Sequence, residues 1–211
     1  LILFHYQVWY LSPSIPINSF LISDEAKKIL NNTPVITISG SRNMWIMAQE
    51  KIKTLLKEAN AQLVGNVALV DRVGNLISVI TIVEWMFSGV KKKYLGIFPL
   101  PGVSDKDINE SAKFGKIIQS SFENNNLVGL QNKLVENDAV RVNSYLVLVD
   151  KTGNKIFNKW SKFIKTKTET RNTWIKVFKV YLLIAIWVIS PIVYILHVLT
   201  TPFLCWKRKK T

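Results

Sequence analysis

The residues best suited to hold a ligand are Ser39, Gly40, Ser41, Arg42 and Asn43. They follow the apolar run Val35-Ile36-Thr37-Ile38 and precede an amphipathic segment beginning near Met44. A strand that feeds a helix through a small-residue turn leaves backbone N–H groups unpaired at the helix N-terminus. In an open α/β sheet those groups lie at the carboxyl edge, where ligands bind. The hydroxyls, the guanidinium and the amide add donors suited to a phosphate, a carboxylate or a polar ring edge. The same composition also serves a turn that does no more than cap its helix. A second set, Trp9, Tyr10, Leu11 and Ser12, follows the apolar run from Leu1 to Gln7 and brings aromatic faces to the next loop, with packing onto the core as the competing use. Asp71 and Arg72 close a further apolar run and suit either the rim of a substrate site or a local ion pair.

Other chemistries find little footing. His5 sits in an apolar strand and His197 in a long apolar run, so neither is placed to activate a Ser or Cys nucleophile. The two histidines are far apart with no carboxylates clustered around them, which leaves no metal site. A phosphate loop of the Gly-Lys-Ser/Thr type is absent. The single cysteine, Cys205, excludes an intramolecular disulfide and a cysteine zinc site and fits a reducing compartment. What the residues allow is ligand binding at strand ends, with a cofactor doing any chemistry.

Those two loops need a scaffold. A strand from Leu1 to Gln7 is ended by Ser12-Pro13-Ser14-Ile15-Pro16, and Ser23-Asp24-Glu25 caps a short helix to about Leu30. The strand from Pro34 leads to a helix with Trp45, Ala48, Ile52, Leu55, Leu56 and Ala59 on one face, and Gly65 to Asp71 reads as another buried strand. Strand, helix, strand at this spacing is a βαβ unit with a parallel sheet. Leu76 to Phe87 suggests a buried helix stopped by Ser88-Gly89, although its β-branched content also allows a strand. Lys91-Lys92-Lys93 reads as a solvated turn, Tyr94 to Phe98 as a short strand and Pro99 to Gly102 as a rigid loop. Ser104 with Asp107 starts a capped helix to about Phe122, with Ile108, Ala112, Gly115, Ile118 and Phe122 on one face. A further helix is expected near Leu127 to Glu136, then an apolar stretch at Tyr145 to Val149. Because the chain opens inside an apolar run with no charged leader, Leu1 is read as lying within a strand cut from upstream sequence.

The distribution of charge separates a body from a tail. From Lys151 onward thirteen basic residues face one acid, Glu169, so +12 of the chain's +14 lies there and the first 150 residues are nearly neutral. A nucleic-acid partner is therefore not expected. The basic residues bracket a run from Val180 through Trp206 without a formal charge, and Val180 to Leu199 alone supplies the roughly 20 residues a membrane span requires. Trp174, Tyr181 and Trp206 suit interfacial anchors, and Pro191 would kink the helix. A single span, a re-entrant hairpin with basic flanks on one side, and a buried soluble helix all remain open. Lys155 to Lys167, with Phe157, Trp160 and Ile164 at helical spacing, reads as a basic amphipathic helix. The expected organisation is a body over residues 1–150, a basic connector over 151–179, a transmembrane or re-entrant segment over 180–206 and a basic tail over 207–211.

A loop with Trp-Tyr and Ser-Pro after one strand, then a Gly-containing loop after the next, resembles the two ring-binding loops of flavodoxin-like NAD(P)H-dependent oxidoreductases. More closely, several segments resemble a bacterial flavodoxin-like family labelled dialkylresorcinol condensing enzyme. They are Gln7 to Pro16, Arg42-Asn43-Met44-Trp45 with Ala48-Gln49-Glu50, Leu69-Val70-Asp71-Arg72 and Leu95-Gly96-Ile97-Phe98-Pro99. The resemblance runs from about Tyr6 into the tail. It implies an α/β, flavodoxin-like open parallel sheet whose first strands, with the Ser/Thr-rich loop for the flavin phosphate, lie upstream of Leu1. It further implies FMN or FAD as cofactor and NAD(P)H as donor. Trp9, Tyr10, Leu11 and Ser12 would meet the flavin ring from one loop, and Ser39, Gly40, Ser41, Arg42 and Asn43 from the other. Condensation of acyl thioesters normally uses a cysteine assisted by histidine, and the only cysteine here is in the tail, so a redox role is expected. The expected function is a membrane-anchored oxidoreductase, its main domain on the cytoplasmic side, passing reducing equivalents to a quinone-like or lipid-derived aromatic acceptor. The alternative is a flavin-free, membrane-tethered binding or scaffold module. The expected partners are membrane lipid and a small-molecule electron acceptor, with a homodimer as an open option.

Overall fold

The computed structural model describes residues 1–208, with side chains described to residue 200; Lys209, Lys210 and the side chains of Cys205, Trp206, Lys207 and Arg208 lie outside the described residues. The chain divides into two compact units, Leu1–Asp150 and Lys151–Thr211. The first is a mixed α/β body and the second is helical.

Four strands form the sheet: β1 (Ile2–Trp9), β2 (Ser12–Pro13), β3 (Pro34–Ser41) and β4 (Gln62–Val70). Their order is β2-β1-β3-β4, with β1, β3 and β4 parallel and only the two-residue β2 antiparallel. Helices α1 (Ile15–Ile22) and α2 (Asp24–Leu30) connect β1 to β3, and α3 (Ile46–Glu58) connects β3 to β4. Val35, Ile36 and Thr37 are buried in succession along β3, as expected where a parallel sheet is covered on both faces. Val35 joins Phe4, Tyr6, Leu21, Leu30, Ile52 and Leu56 in the core under α1 to α3. Ile36 joins Val67 against α6 (Ala112–Glu123) and α7 (Leu130–Glu136), through Phe114, Ile118, Leu130 and Leu134. Gly65 permits this second layer, because a Cβ there would lie 3.1 Å from Leu134 Cδ1 and 3.3 Å from Ile36 Cγ1.

All six apolar residues expected on the inner face of α3, from Trp45 to Ala59, are buried. A buried polar relay pins that helix to the sheet. The Tyr6 hydroxyl donates to Gln49 Oε1 at 2.7 Å, Gln49 Nε2 donates to Thr37 Oγ1 at 3.0 Å, and Thr37 donates to Asn66 Oδ1 at 3.0 Å. Burial pushes the Tyr6 phenol well above its usual range, so it stays a donor.

Several local expectations are revised. Ser39, Gly40 and Ser41 belong to β3, the turn is shorter, and α3 begins at Ile46 with Trp45 in the cap position. Tyr94–Gly96 is a 3-10 turn with Leu95 left-handed (φ 50°) rather than a short strand. The expected helix to Phe122 breaks at Ser111 into α5 (Asp105–Glu110) and α6. The buried face of α6 is Phe114, Ile118 and Ser121, while Ile108 and Phe122 are half exposed. Helix α1, whose Pro16 suits a first turn, was hidden by the Ser/Pro composition. Helix α4 (Asn75–Ser88) ends at left-handed Gly89 as expected, yet buries only Ser78 and Thr81.

The apolar stretch Tyr145 to Val149 forms the start of helix α8 (Ser144–Lys165). In the second unit α8 meets α9 (Arg171–Ile184) through rings. Trp160 lies 5.3 Å from Phe178 and 5.4 Å from Tyr181, and Phe163 lies 4.7 Å from Trp174. Lys151, Lys155, Lys159, Lys162 and Lys165 are exposed on the other side of α8. Helix α9 passes through a π turn at Ala185–Ile189 into α10 (Ser190–Arg208). Pro191 cannot donate to the carbonyl of Trp187, and the π turn immediately upstream takes up the misfit. The helical run Arg171–Thr200 is long and apolar enough, by length and composition, to cross a membrane.

Candidate functional site

The parallel register aligns the strand ends. Gln7 stands beside Gly40, and Gly40 and Ser41 beside Leu69 and Val70, so the exits of β1, β3 and β4 share one carboxyl edge. Ser39 is fully buried between Tyr6 and Ala68 in that register, which removes it from any surface loop. Gly40 continues the strand. Ser41 and Asn43 sit at the edge, where Ser41 Oγ and Asn43 Oδ1 are buried without a hydrogen-bond partner among the described residues. Buried orphan polar atoms of this kind ordinarily mark water or a ligand.

Beside them the β1–β2 hairpin turns at Tyr10 and Leu11, both with positive φ (49° and 63°), between paired Trp9 and Ser12. Two consecutive left-handed residues match the twist of a hairpin, but Asn-Gly normally fills them. Tyr and Leu store roughly 1 kcal/mol or more each. The strained turn holds Trp9 about half exposed and Tyr10 79% exposed at the tip. Ser12 Oγ lies 3.5 Å from Lys51 Nζ on α3.

The remaining expected donor is already engaged. Arg42 Nη1 donates to the Asn75 backbone oxygen at 3.0 Å and to Asn75 Oδ1 at 2.9 Å, and Asn43 Nδ2 donates to the same Oδ1 at 3.0 Å. Burial lowers the Arg42 pKa and the nearby Asp71 carboxylate opposes the shift. Asp71 accepts from Ser78 Oγ at 2.6 Å and from the Val73 N–H at 2.9 Å, so it organises the start of α4 rather than pairing with Arg72. Arg72 instead bridges to Asp107 at 2.6 Å. The N-terminus of α3 is closed by Asp150, whose Oδ2 accepts the Met47 N–H at 2.9 Å. Burial pushes the Asp150 carboxyl up, opposed by the N–H groups of Met47 and Ile46.

At the end of β4 an open cleft of about 540 Å³ lies among Asp71, Arg72, Lys91, the Pro99–Ser104 loop, Asp107 and Arg141. Its far wall includes Gly102, where a φ of +80° and a would-be Cβ 3.2 Å from the Trp85 ring make any other residue strained. Among the described residues no group of three or more His, Cys, Asp or Glu could hold a metal ion.

The structure thus brings Trp9, Tyr10, Leu11, Ser12, Ser41, Arg42 and Asn43 to one edge and withdraws Ser39. Sequence reasoning missed Asn75, which follows Gly74 at a helix start, and Asp150, the last acid before the lysine-rich tail. The chain matches no protein-family model, no curated protein and no solved structure.

Proposed function

We propose that this chain is part of a flavodoxin-like, membrane-anchored oxidoreductase that passes reducing equivalents from NAD(P)H through FMN or FAD to a quinone-like or lipid-derived aromatic acceptor. The observation that carries this reading is the strained Trp9-Tyr10-Leu11 turn at the carboxyl edge, beside the orphan polar atoms of Ser41 and Asn43. Strain at an exposed aromatic turn is costly, and a flat ring that stacks on it offsets the cost. The residues present fit the ring of a flavin: Trp9 and Tyr10 supply its stacking faces, and Ser41 with Asn43 supplies a donor and an acceptor for its polar edge. When bound, the flavin would take a hydride and release electrons. The chain's own part is to hold the ring, and Arg42 places fixed positive charge near it while clamped to Asn75.

The anchor is the helix Arg171–Thr200, and the exposed lysines of α8 favour the phosphate side of a bilayer. One arrangement favours the flavin-free module instead. The N-terminus of α3, a natural anion site, is filled by the chain's own Asp150. The visible spectrum of the purified protein in mild detergent, before and after anaerobic NAD(P)H, decides between them. A flavin band that bleaches supports the redox reading. A colourless protein that takes up neither FMN nor FAD overturns it and leaves the tethered module.

A further inference from the structure

The segment from Val83 to Ile97 turns its apolar side chains outward. Met86 is 75% exposed, Phe87 89%, Leu95 70% and Ile97 80%, with Val83 and Val90 about half exposed. Helix α4 is apolar nearly all round, with Glu84 its one charge, yet spends its buried positions on Ser78 and Thr81. A soluble surface rarely gathers so many large apolar groups in fifteen consecutive residues, and such a patch ordinarily meets a partner or a membrane. Its centre carries Lys91, Lys92 and Lys93. Lys91 and Lys92 reach Asp105 and Glu84, and all three are exposed.

We propose that this face is a second membrane contact, through which the α/β body docks on an anionic lipid surface. Two observations choose lipid over a protein partner. Apolar tips interleaved with lysines match the boundary between acyl chains and phosphate headgroups, where apolar groups sink roughly 5–10 Å and lysines stay at the phosphates. The same chain also carries a helix able to cross a membrane, which would keep the body within reach of a bilayer. The proposal therefore rests on the anchored reading above. It deepens that reading at the cleft, because Lys91, Pro99 and Leu100 line the cleft and adjoin this face. An acceptor with a lipid-like tail would then reach the cleft from the bilayer side.

The test uses the full chain in vesicles, with Cys205→Ser to remove the single native thiol. A polarity-sensitive fluorophore is placed at Phe87→Cys, at Tyr194→Cys in the candidate span, and at Lys57→Cys on the exposed side of α3. In vesicles containing phosphatidylglycerol, the Phe87 probe should be blue-shifted and quenched several-fold more by nitroxide-labelled lipid than the Lys57 probe. That quenching should weaken in purely zwitterionic vesicles. A Phe87 probe quenched by aqueous iodide as strongly as Lys57, with Tyr194 shielded, overturns this proposal and leaves the anchor standing. Iodide access at all three positions overturns the anchor as well. Shielding at Phe87 without lipid quenching indicates cover by a second copy and also overturns it.

Discussion

Asp150, the last residue of the α/β body, accepts a hydrogen bond from the backbone N–H of Met47 at 2.9 Å and so closes the helix that starts at the carboxyl edge of the sheet. Two residues 103 positions apart thereby settle what occupies that helix terminus. An external anion would have to displace a buried carboxylate already in place.

Replacing Asp150 tests this directly. Asp150→Ala removes the acceptor and should cost about 1 kcal/mol, the usual worth of a helix cap. Asp150→Asn keeps an oxygen for Met47 and sheds the charge that burial penalises, so it should be close to neutral. The sign with pH follows from the raised carboxyl. The folded state holds this proton more tightly than the unfolded chain, so the contribution is complete below the ordinary aspartate value of about 4 and is lost as pH rises through the folded value. Thermal unfolding in detergent should show the wild type gaining on Asp150→Asn as pH falls toward 4. A drift in the opposite direction would refute the burial argument.

The hairpin tip should show a trade between stability and binding. Tyr10→Asn with Leu11→Gly installs residues that accept left-handed backbone, and should raise stability by roughly 1 kcal/mol while flavin uptake falls. Calorimetry and flavin titration read the two effects separately. A stabilised protein with unchanged uptake would remove Tyr10 from the site.

Gln49 links Tyr6 to Thr37 inside the core. Gln49→Leu strands the Tyr6 hydroxyl and should cost about 1–3 kcal/mol. Adding Tyr6→Phe removes the stranded group, so the double variant should lose less than the sum of the single ones. Strict additivity in denaturant unfolding would mean the relay carries no coupling.

The second layer rests on a missing side chain. Gly65→Ala sets a methyl 3.1 Å from Leu134 Cδ1 and 3.3 Å from Ile36 Cγ1, and these side chains have to give by a few tenths of an ångström to admit it. Overpacking of this kind costs about 1–3 kcal/mol. The loss should appear as faster amide exchange in α7 and β4, with β1 little changed.

Arg72 and Asp107 brace the cleft at 2.6 Å, with Asp107 buried and also accepting from Ser104. Arg72→Met leaves that carboxylate short of a partner and should cost about 1–3 kcal/mol. Asp107→Asn in the same background should restore part of it, read by the same unfolding experiment.

Up to β4 most elements were legible because they carry their own periodic signal, the exception being α1 under its Ser/Pro composition. Trp45 to Ala59 spells an amphipathic helix, and Val35 to Ile38 a strand buried on both faces. Beyond Asp71 the signals conflict. The β-branched run at Leu76 to Phe87 allows helix or strand, and Ile108 and Phe122 hold helical spacing without facing a core. Within the site, Trp9, Tyr10, Arg42 and Asn43 could be picked out by type alone. Asn75 and Asp150 could not, because nothing in a linear chain shows that they arrive at Arg42 and Met47.

By composition and order alone the sequence determined a nearly neutral α/β body, a tail holding most of the positive charge and an apolar helix of membrane length. Each is a local or summed property of neighbouring residues, independent of what folds against them. Only the tertiary structure decided that Ser39 lies inside the sheet, that Arg42 is clamped by Asn75, and that α3 is capped by Asp150. Those facts depend on which distant backbone and side-chain groups meet. Hydrogen bonding over a few ångströms is decided by that meeting and not by sequence neighbourhood.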